Sequence, residues 1–261
     1  MKKVNFKNFA NGSVYALETD DGFPVEVTDT FLPYYTKDAV GRHQNALSDS
    51  NFGDRTERWM IGVSCMSGCP VRCKFCATGQ LKRWRSLAAQ EIVDQVEFIL
   101  SQNPNYAFGK AKEHKINYTR MGEPFLNIDA VKEAIKIIDL KYPGTHHYIS
   151  TIGTKDADFS WIKDNVTLQV SLHSLDENRR NELIPIKKKM SIEELGKIRT
   201  SSNLKTTVNL TLVDEDDFDI EKLRRNFDPQ SFFIKLSPIN PNPTSDNNHM
   251  GSGVIDGINI V

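Results

Sequence analysis

The sequence predicts an α/β protein: a partial (β/α)6 TIM-like barrel preceded by a small N-terminal β-rich extension. Three observations carry that prediction. Six short apolar segments between Trp59 and Leu236 alternate with segments of helical character, the pattern of parallel βαβ units. The polar motifs that look chemical follow directly on those strands, and in such barrels function collects at the strands' C-terminal ends. Ahead of the alternation stand two short strand-like segments joined by a turn signal. The boundaries this implies are 1–58 for the extension, 59–243 for the barrel and 244–261 for a C-terminal tail.

In the extension, Val14–Leu17 and Val25–Thr28 read as strands, with Asp20-Asp21-Gly22 as the turn between them. The polar stretch from Thr36 to Asp54 reads as loop. Trp59–Ser64 is the first barrel strand and runs into a cysteine-rich loop. Ser86–Leu100 carries Leu87, Ile92, Val93, Val96, Ile99 and Leu100 at helical period. Ile116–Thr119 is the second strand. Asn127–Leu140 is a helix, with Asn127 or Asp129 near its cap. His147–Thr151 is the third strand, Phe159–Ile162 a short helix, and Val166–Leu172 the fourth strand. A helix begins near Ser191, with Glu193 and Glu194 in its first turn, where they suit the helix dipole. Thr206–Val213, Ile220–Phe227 and Phe232–Leu236 complete the series as strand, helix and strand.

Composition narrows the class. A chain of 261 residues fits one domain with small extensions. Hydrophobic content of 39% and charged content of 26% argue against disorder. No apolar run approaches the roughly 18 residues of a membrane span, and the N-terminus lacks the apolar core of a signal peptide. A reducing, cytoplasmic compartment and a monomer away from membranes are the expectations. The net charge of −1 excludes a uniformly basic nucleic-acid binder. Local charge differs: Arg72, Lys74, Lys82, Arg83 and Arg85 surround the cysteine loop, and Lys187, Lys188 and Lys189 form a second run. Such cations can hold phosphates and Trp84 can stack a base, although a solvated face explains either run alone.

All four cysteines lie between Cys65 and Cys76. Cys69, Cys73 and Cys76 stand in the pattern C-x-x-x-C-x-x-C, which can wrap one face of a cubane [4Fe-4S] cluster. Three ligands leave one iron open to an exogenous molecule, as a catalytic site requires. A disulfide framework fits poorly, because cysteines this crowded make poor long-range staples. Structural zinc usually takes two separated knuckles, and only one is present. Cys65 reads either as a buried small hydrophobe or as a reactive thiol. Phe75 would shield a cluster from water, or simply pack.

The strand ends supply the remaining chemistry. Gly122 in Arg120-Met121-Gly122-Glu123-Pro124 allows close backbone approach to a ligand, and Glu123 offers a carboxylate to an amine. Ser150 and Thr151 follow the third strand. Ser171, Leu172 and His173 follow the fourth; His173 fits a cofactor contact or a satisfied histidine equally well. Asn240, held between Pro238 and Pro241, can meet a ligand's edge. Together these groups suit S-adenosylmethionine, which carries an amine, a carboxylate, ribose hydroxyls and an adenine edge. An electron from a reduced cluster would cleave its sulfonium carbon–sulfur bond and release a 5′-deoxyadenosyl radical, with the protein orienting the cofactor.

From about Gly12 to Pro243 the chain resembles the radical S-adenosylmethionine superfamily, and within it the RlmN/Cfr family of RNA adenosine C2/C8 methylating enzymes. The resemblance lies in Gly68-Cys69, Cys73, Cys76-Ala77-Thr78-Gly79-Gln80, Met121-Gly122-Glu123-Pro124, Leu126-Asn127, Ser150-Thr151-Ile152-Gly153, Ser171-Leu172-His173, Ile184-Pro185-Ile186 and Pro238-Ile239-Asn240-Pro241. It implies a partial barrel and methyl transfer to an adenine carbon of ribosomal or transfer RNA. It also implies a reductant such as flavodoxin or ferredoxin, and a catalytic glutamate in the extension, at Glu26. Two departures concern the methyl relay. No cysteine follows Cys76, where the family has a methyl-carrying cysteine near its C-terminus. Gly62 stands where the family has a cysteine seven residues before the first cluster ligand. The expectation is a fragment, or a member that has lost the relay; hydrogen abstraction from another substrate and non-catalytic cluster binding are the alternatives.

Overall fold

The computed structural model of the chain describes residues 1–37, 43–44, 48, 50–211, 218–251, 253–255 and 258–260. They form two compact units. The first comprises Met1–Ser67, Ser86–Gly122 and Asn127–Tyr148; the second comprises Gly68–Arg85, Glu123–Leu126 and Ile149–Val261.

In the first unit, β1 (Lys2–Phe9), β2 (Gly12–Glu18), β3 (Pro24–Leu32) and β4 (Arg58–Val63) pair antiparallel in that order. β4 then pairs in parallel with β5 (Glu113–Tyr118), Gly62 opposite Asn117. Alternation along the strands makes two faces. One buries Leu17, Val25, Val27, Ile61, Val63 and Ile116. Helix α1 (Ala89–Gln102) lays Ile92, Val93, Val96 and Ile99 against β3 and β4 and packs on α2 (Ile128–Lys141). Each of those four aliphatic side chains contributes about 2 kcal/mol of burial. The other face presents Glu26, Thr28, Met60, Lys115 and Asn117, all half-buried. Trp59 is fully buried and donates its indole N–H to Asp29 Oδ1 at 2.7 Å. Asp29, 1% exposed, also accepts from Arg55 Nη2 at 2.5 Å and Asn103 Nδ2 at 3.1 Å.

In the second unit, the end of β6 (His146–Thr151), from Ile149 onward, neighbours β7 (Val166–Ser171). Between β7 and the next strand lie α3 (Glu177–Leu183) and α4 (Ile192–Gly196). β7 pairs in parallel with β8 (Thr206–Thr211); α5 (Ile220–Asn226) leads to β9 (Phe232–Ser237), which pairs in parallel with β8. α6 (Pro243–Asn247) follows. Gly196, the last residue of α4, lets the chain pass close to the Asn226 carbonyl oxygen, from which a Cβ would stand 2.0 Å.

All six predicted barrel strands are present, and so is the 14–28 hairpin with its turn, where Gly22 has φ 79°. Four differences have physical causes. β1 carries only a short alternation, Val4 and Phe6 between Lys3, Asn5 and Lys7, and every one of its residues is exposed, so no buried face marks it. α3 is not legible as a helix because Glu177–Glu182 is polar and only Leu183 is apolar; it starts on Asp176, which accepts from the N–H groups of Asn178 and Arg179. Phe159–Ile162 is a turn rather than a helix, with Phe159 packed on Phe125 at 4.8 Å between centroids. Asn127 sits at the N-cap position of α2 but its side chain does not cap; it donates to the carbonyls of Cys65 and Leu87, both at 2.8 Å. Within the predicted 36–54 loop, Thr36–Lys37 pairs with His43–Gln44; 38–42, 45–47 and 49 lie outside the described residues, as do 212 and 213 at the end of the fifth predicted strand.

Candidate active site

The second unit brings together most of the residues singled out from the sequence. Cys69, Cys73 and Cys76 are free, half-buried thiols. Their loop turns at Arg72, with φ 57°, and closes with the Cys76 N–H donating to the Cys73 carbonyl at 3.1 Å. Beneath it Val71, Ile152, Leu183 and Ile184 form an apolar floor, against which Cys69, Cys73 and Phe75 pack. Burial pushes the Cys69 thiol up to about 12, although the backbone N–H groups of Val71 and Arg72 favour its thiolate; Glu123 and Cys76 raise it further. Cys73 rises well above the ordinary thiol range, again by burial first, then through Cys76, Cys69 and Glu123.

That donor set fits an iron–sulfur cluster. Burial and neighbouring negative charge hold Cys69 and Cys73 as thiols in the metal-free chain, over an apolar floor and with backbone N–H groups near the sulfurs. A metal cluster would supply the positive charge that favours their thiolates. Hydrogen bonds to sulfur and exclusion of water are also the features that set a cluster's potential. Cys65 lies in the first unit, 1% exposed, with its thiol 3.6 Å from the Met121 carbonyl.

Glu123 is 3% exposed. Its Oε1 accepts from Thr151 Oγ1 at 2.6 Å and the Phe125 N–H at 3.1 Å, and its Oε2 from the Ile152 N–H at 2.9 Å. Burial still wins over these three bonds and holds the carboxyl above its usual range. No cation pairs with it among the described residues.

At the strand ends, Ser150 Oγ lies 3.0 Å from Ser171 Oγ and accepts from Gln169 Nε2 at 2.8 Å. Leu172 is buried, and its N–H donates to the Asn209 carbonyl at 2.9 Å. His173 has φ 65°, stands edge-on to Phe75 at 4.7 Å, and accepts the Thr211 N–H on Nδ1 at 3.2 Å. That acceptor role places the ring proton on Nε2. Burial, then Arg180, pushes the imidazole down to about 3, so it is neutral at ordinary pH. Asn240 is exposed, and its carbonyl accepts from Asn242 Nδ2.

Glu26 and Gly122 belong to the first unit. Glu26 pairs with Arg120, both side chains about one third exposed. The Arg120 stem crosses Gly62, where a Cβ would meet Thr28 Oγ1 at 2.3 Å and Arg120 Cδ at 3.1 Å. Gly122, with φ 100°, brings the backbone against Met66, where a Cβ would stand 2.5 Å from the Met66 Cβ.

Several residues of these sites were not anticipated. Asn242 caps α6 and donates Nδ2 to the Phe75 carbonyl at 3.0 Å, while Asn248 Nδ2 donates to the Lys74 carbonyl at 2.9 Å. Arg180, fully buried, donates to the carbonyls of Ile152 and Met190 at 2.8 and 2.6 Å. Gln169 and Asn209 lie among hydroxyls on their strands; polar residues at period 2 inside otherwise apolar strands were the signal for them.

A sequence model of the radical SAM superfamily matches residues 63–226. The chain is 33% identical over 195 residues to a protein of Thermosipho melanesiensis described as a probable dual-specificity RNA methyltransferase RlmN, covering 69% of this chain and 55% of that one. A protein of Pseudothermotoga lettingae with the same description is 34% identical over 221 residues, covering 78% of this chain and 63% of that one. The chain thus spans 55–63% of the length of these curated relatives. Among solved structures, a radical SAM methyltransferase from Sphaerobacter thermophilus has a TM-score of 0.66 at 23% identity, covering 93% of this chain and 68% of that one. That likeness is one of fold: a mixed α/β architecture with parallel strands and an antiparallel N-terminal set. No helix among the described residues is long and apolar enough to cross a membrane.

Proposed function

Because the chain belongs to the radical SAM superfamily, we propose that it is an iron–sulfur enzyme that cleaves S-adenosylmethionine and acts on RNA, with Cys69, Cys73 and Cys76 holding a [4Fe-4S] cluster. The observation that supports this most is the cysteine loop itself: three free, half-buried thiols, two of which, Cys69 and Cys73, pack on an apolar floor. When bound, the cluster supplies the electron that breaks the cofactor's sulfonium carbon–sulfur bond.

The chain's own residues bind and orient. Glu123 lacks a cation of its own and takes the cofactor's amine. Ser150 and Ser171 hold its carboxylate or ribose hydroxyls. His173, neutral, donates from Nε2, and Leu172 contributes through its backbone. Gly122 keeps the chain close, and Asn240 meets the adenine edge. Glu26, carried by the 1–58 extension, assists the chemistry on the substrate. Ribosomal or transfer RNA is the proposed substrate, on the likeness to relatives described as RNA methyltransferases, and a flavodoxin or ferredoxin the proposed electron donor to a cytoplasmic monomer.

The two-cysteine methyl relay is not found within these 261 residues, since no cysteine follows Cys76 and position 62 is glycine. The Arg120 stem lying over Gly62 favours a second reading: hydrogen abstraction from another substrate without methyl relay.

Anaerobic reconstitution with iron and sulfide, followed by dithionite and S-adenosylmethionine, tests the first step. The wild type should release 5′-deoxyadenosine and Cys73→Ala should not. A loaded cluster without 5′-deoxyadenosine reduces the function to cluster binding. Labelled methyl transfer from S-adenosylmethionine to RNA then separates the two readings.

A further inference from the structure

We infer that a cationic cavity beside the cysteine loop, lined by Arg72, Lys74, Gln80, Thr244 and Asn247, seats the phosphate–ribose backbone of an RNA strand. The inference rests on the RNA reading above and adds to it the place where the strand lands.

The cavity lies wholly in the second unit and encloses about 790 Å³. Its walls are the cysteine loop, the turn at Ala77–Gln80, Pro185, and α6 with Asn248. The lining holds two cations, three side-chain amides and a hydroxyl, and no carboxylate. The stretch from Gly68 to Arg85 contains five basic residues and no acidic one, in a chain whose net charge is −1. Lys82 lies just beyond Gln80, and Lys187 and Lys188 lie just beyond Pro185.

The cations of the lining have no carboxylate beside them. Several surface lysines elsewhere meet carboxylates: Lys136 meets Glu133, Lys141 meets Glu97, Lys155 meets Glu194 and Lys197 meets Glu193. Among the described residues, no ion pair involves Arg72, Lys74, Lys82, Lys187 or Lys188. Uncompensated cations in the wall of a concavity, as Arg72 and Lys74 are here, raise the local concentration of an external anion. Two features favour a nucleic-acid strand over an acidic protein. The cavity has the volume of a small-ligand site, enough for a nucleotide step, whereas protein partners meet broad surfaces. Its amides and hydroxyl also match ribose 2′-hydroxyls and phosphate oxygens, which dominate RNA backbone recognition.

The probe is a fluorescein-labelled stem–loop RNA bound to the full-length reconstituted protein, followed by anisotropy across a salt series. Lys74→Glu places a carboxylate in the lining. Gln80→Glu combined with Asn247→Asp does so without touching the cysteine loop, so a loss shared by both variants is not loop damage. Each should weaken binding about tenfold at low salt and lower the salt slope by about one. Binding and slope equal to the wild type in both variants overturn the inference while leaving the RNA reading intact. The same result with slower reduction by flavodoxin also overturns it, and assigns the face to an electron donor. A wild type that binds no RNA removes the RNA reading itself, and the inference with it.

Discussion

Glu113 in the first unit and Glu123 in the second both leave bulk water, yet their carboxyls move in opposite directions. Burial opposes ionisation of each. At Glu113 the ammonium of Lys115 and the guanidinium of Arg58 overcome it and hold the carboxyl below its ordinary range. At Glu123 three neutral donors do not, and the carboxyl stays above it. The cations show the same contrast inside the second unit: Lys155, Arg179 and Lys197 meet carboxylates, while among the described residues Arg72 and Lys74 meet none. Charges satisfied within the chain stabilise the fold. A buried carboxyl without a counter-ion, such as Glu123, is matched by a ligand that supplies one. That is the physical case for reading Glu123 and the cysteine-loop cations as binding groups.

The largest test of this contrast is at Asp29. Its removal leaves the guanidinium of Arg55, 16% exposed, and the Trp59 indole N–H without their carboxylate, while Asn103 Nδ2 keeps only the Ile99 carbonyl. Asp29→Ala should cost about 3–5 kcal/mol, the range for breaking a buried ion pair, read from urea unfolding. Glu123→Gln in the metal-free protein should cost less, about 1–3 kcal/mol, because one neutral donor, the Ile152 N–H, then faces an amide N–H. If Glu123→Gln proves the more costly of the two, the division between internally and externally satisfied charges fails.

Next in size is Gly62. A Cβ there collides with Thr28 Oγ1 and the Arg120 stem, so Gly62→Ala should destabilise by about 1–3 kcal/mol. Arg120→Gly removes one of the two obstacles, and the double variant should recover part of the loss; a non-additive cycle is the expected result. Additive losses would show that the Arg120 stem does not fill this position. Glu26→Gln belongs to the same corner: its pair with Arg120 is a third exposed and contributes roughly 0–1 kcal/mol, so its effect should appear in product formation rather than in stability. Unchanged product with intact cofactor cleavage would remove Glu26 from the chemistry.

Much of the fold was legible because period-2 burial and helical period are written in side-chain polarity. Val166, Leu168 and Val170 are buried and mark β7; Ile92, Val96 and Ile99 mark α1. β1 alternates only at Val4 and Phe6 and buries neither, since it pairs with β2 through its backbone and all its residues stay exposed. α3 is held by a cap and by Arg180, and a buried arginine reads as surface in a sequence. The candidate site shows the same limit. Cysteine spacing and the Gly122-Glu123 motif are local and were readable. Asn240 is legible from its flanking prolines, whereas the side chains that bind the cysteine loop, Asn242 and Asn248, find their partners Phe75 and Lys74 far away in sequence. The counter-ion at Glu26 was equally invisible, because Arg120 reaches it across the strands rather than along them.

The smallest effect separates the two glutamates most directly, through pH. The folded pKa of Glu113 lies below its unfolded value, so its contribution to stability is present above that value, near 4.5, and is lost as pH falls through the folded one. For Glu123 the sign reverses. Its folded pKa lies above 4.5, so the neutral carboxyl stabilises at low pH and that contribution disappears as pH rises through the folded value. Urea midpoints of the metal-free protein across the acid range should therefore bend in opposite senses on substitution. Glu113→Gln should flatten the acid-side loss, by no more than a few tenths of a kcal/mol given its partial exposure. Glu123→Gln should remove a decline that the wild type shows as pH rises. Adding S-adenosylmethionine to the reconstituted wild type should abolish that decline, because an ammonium beside Glu123 restores the balance that Lys115 and Arg58 give Glu113. A decline that persists with the cofactor bound would mean that Glu123 does not hold the amine, and the comparison between the two carboxylates would then describe only the fold.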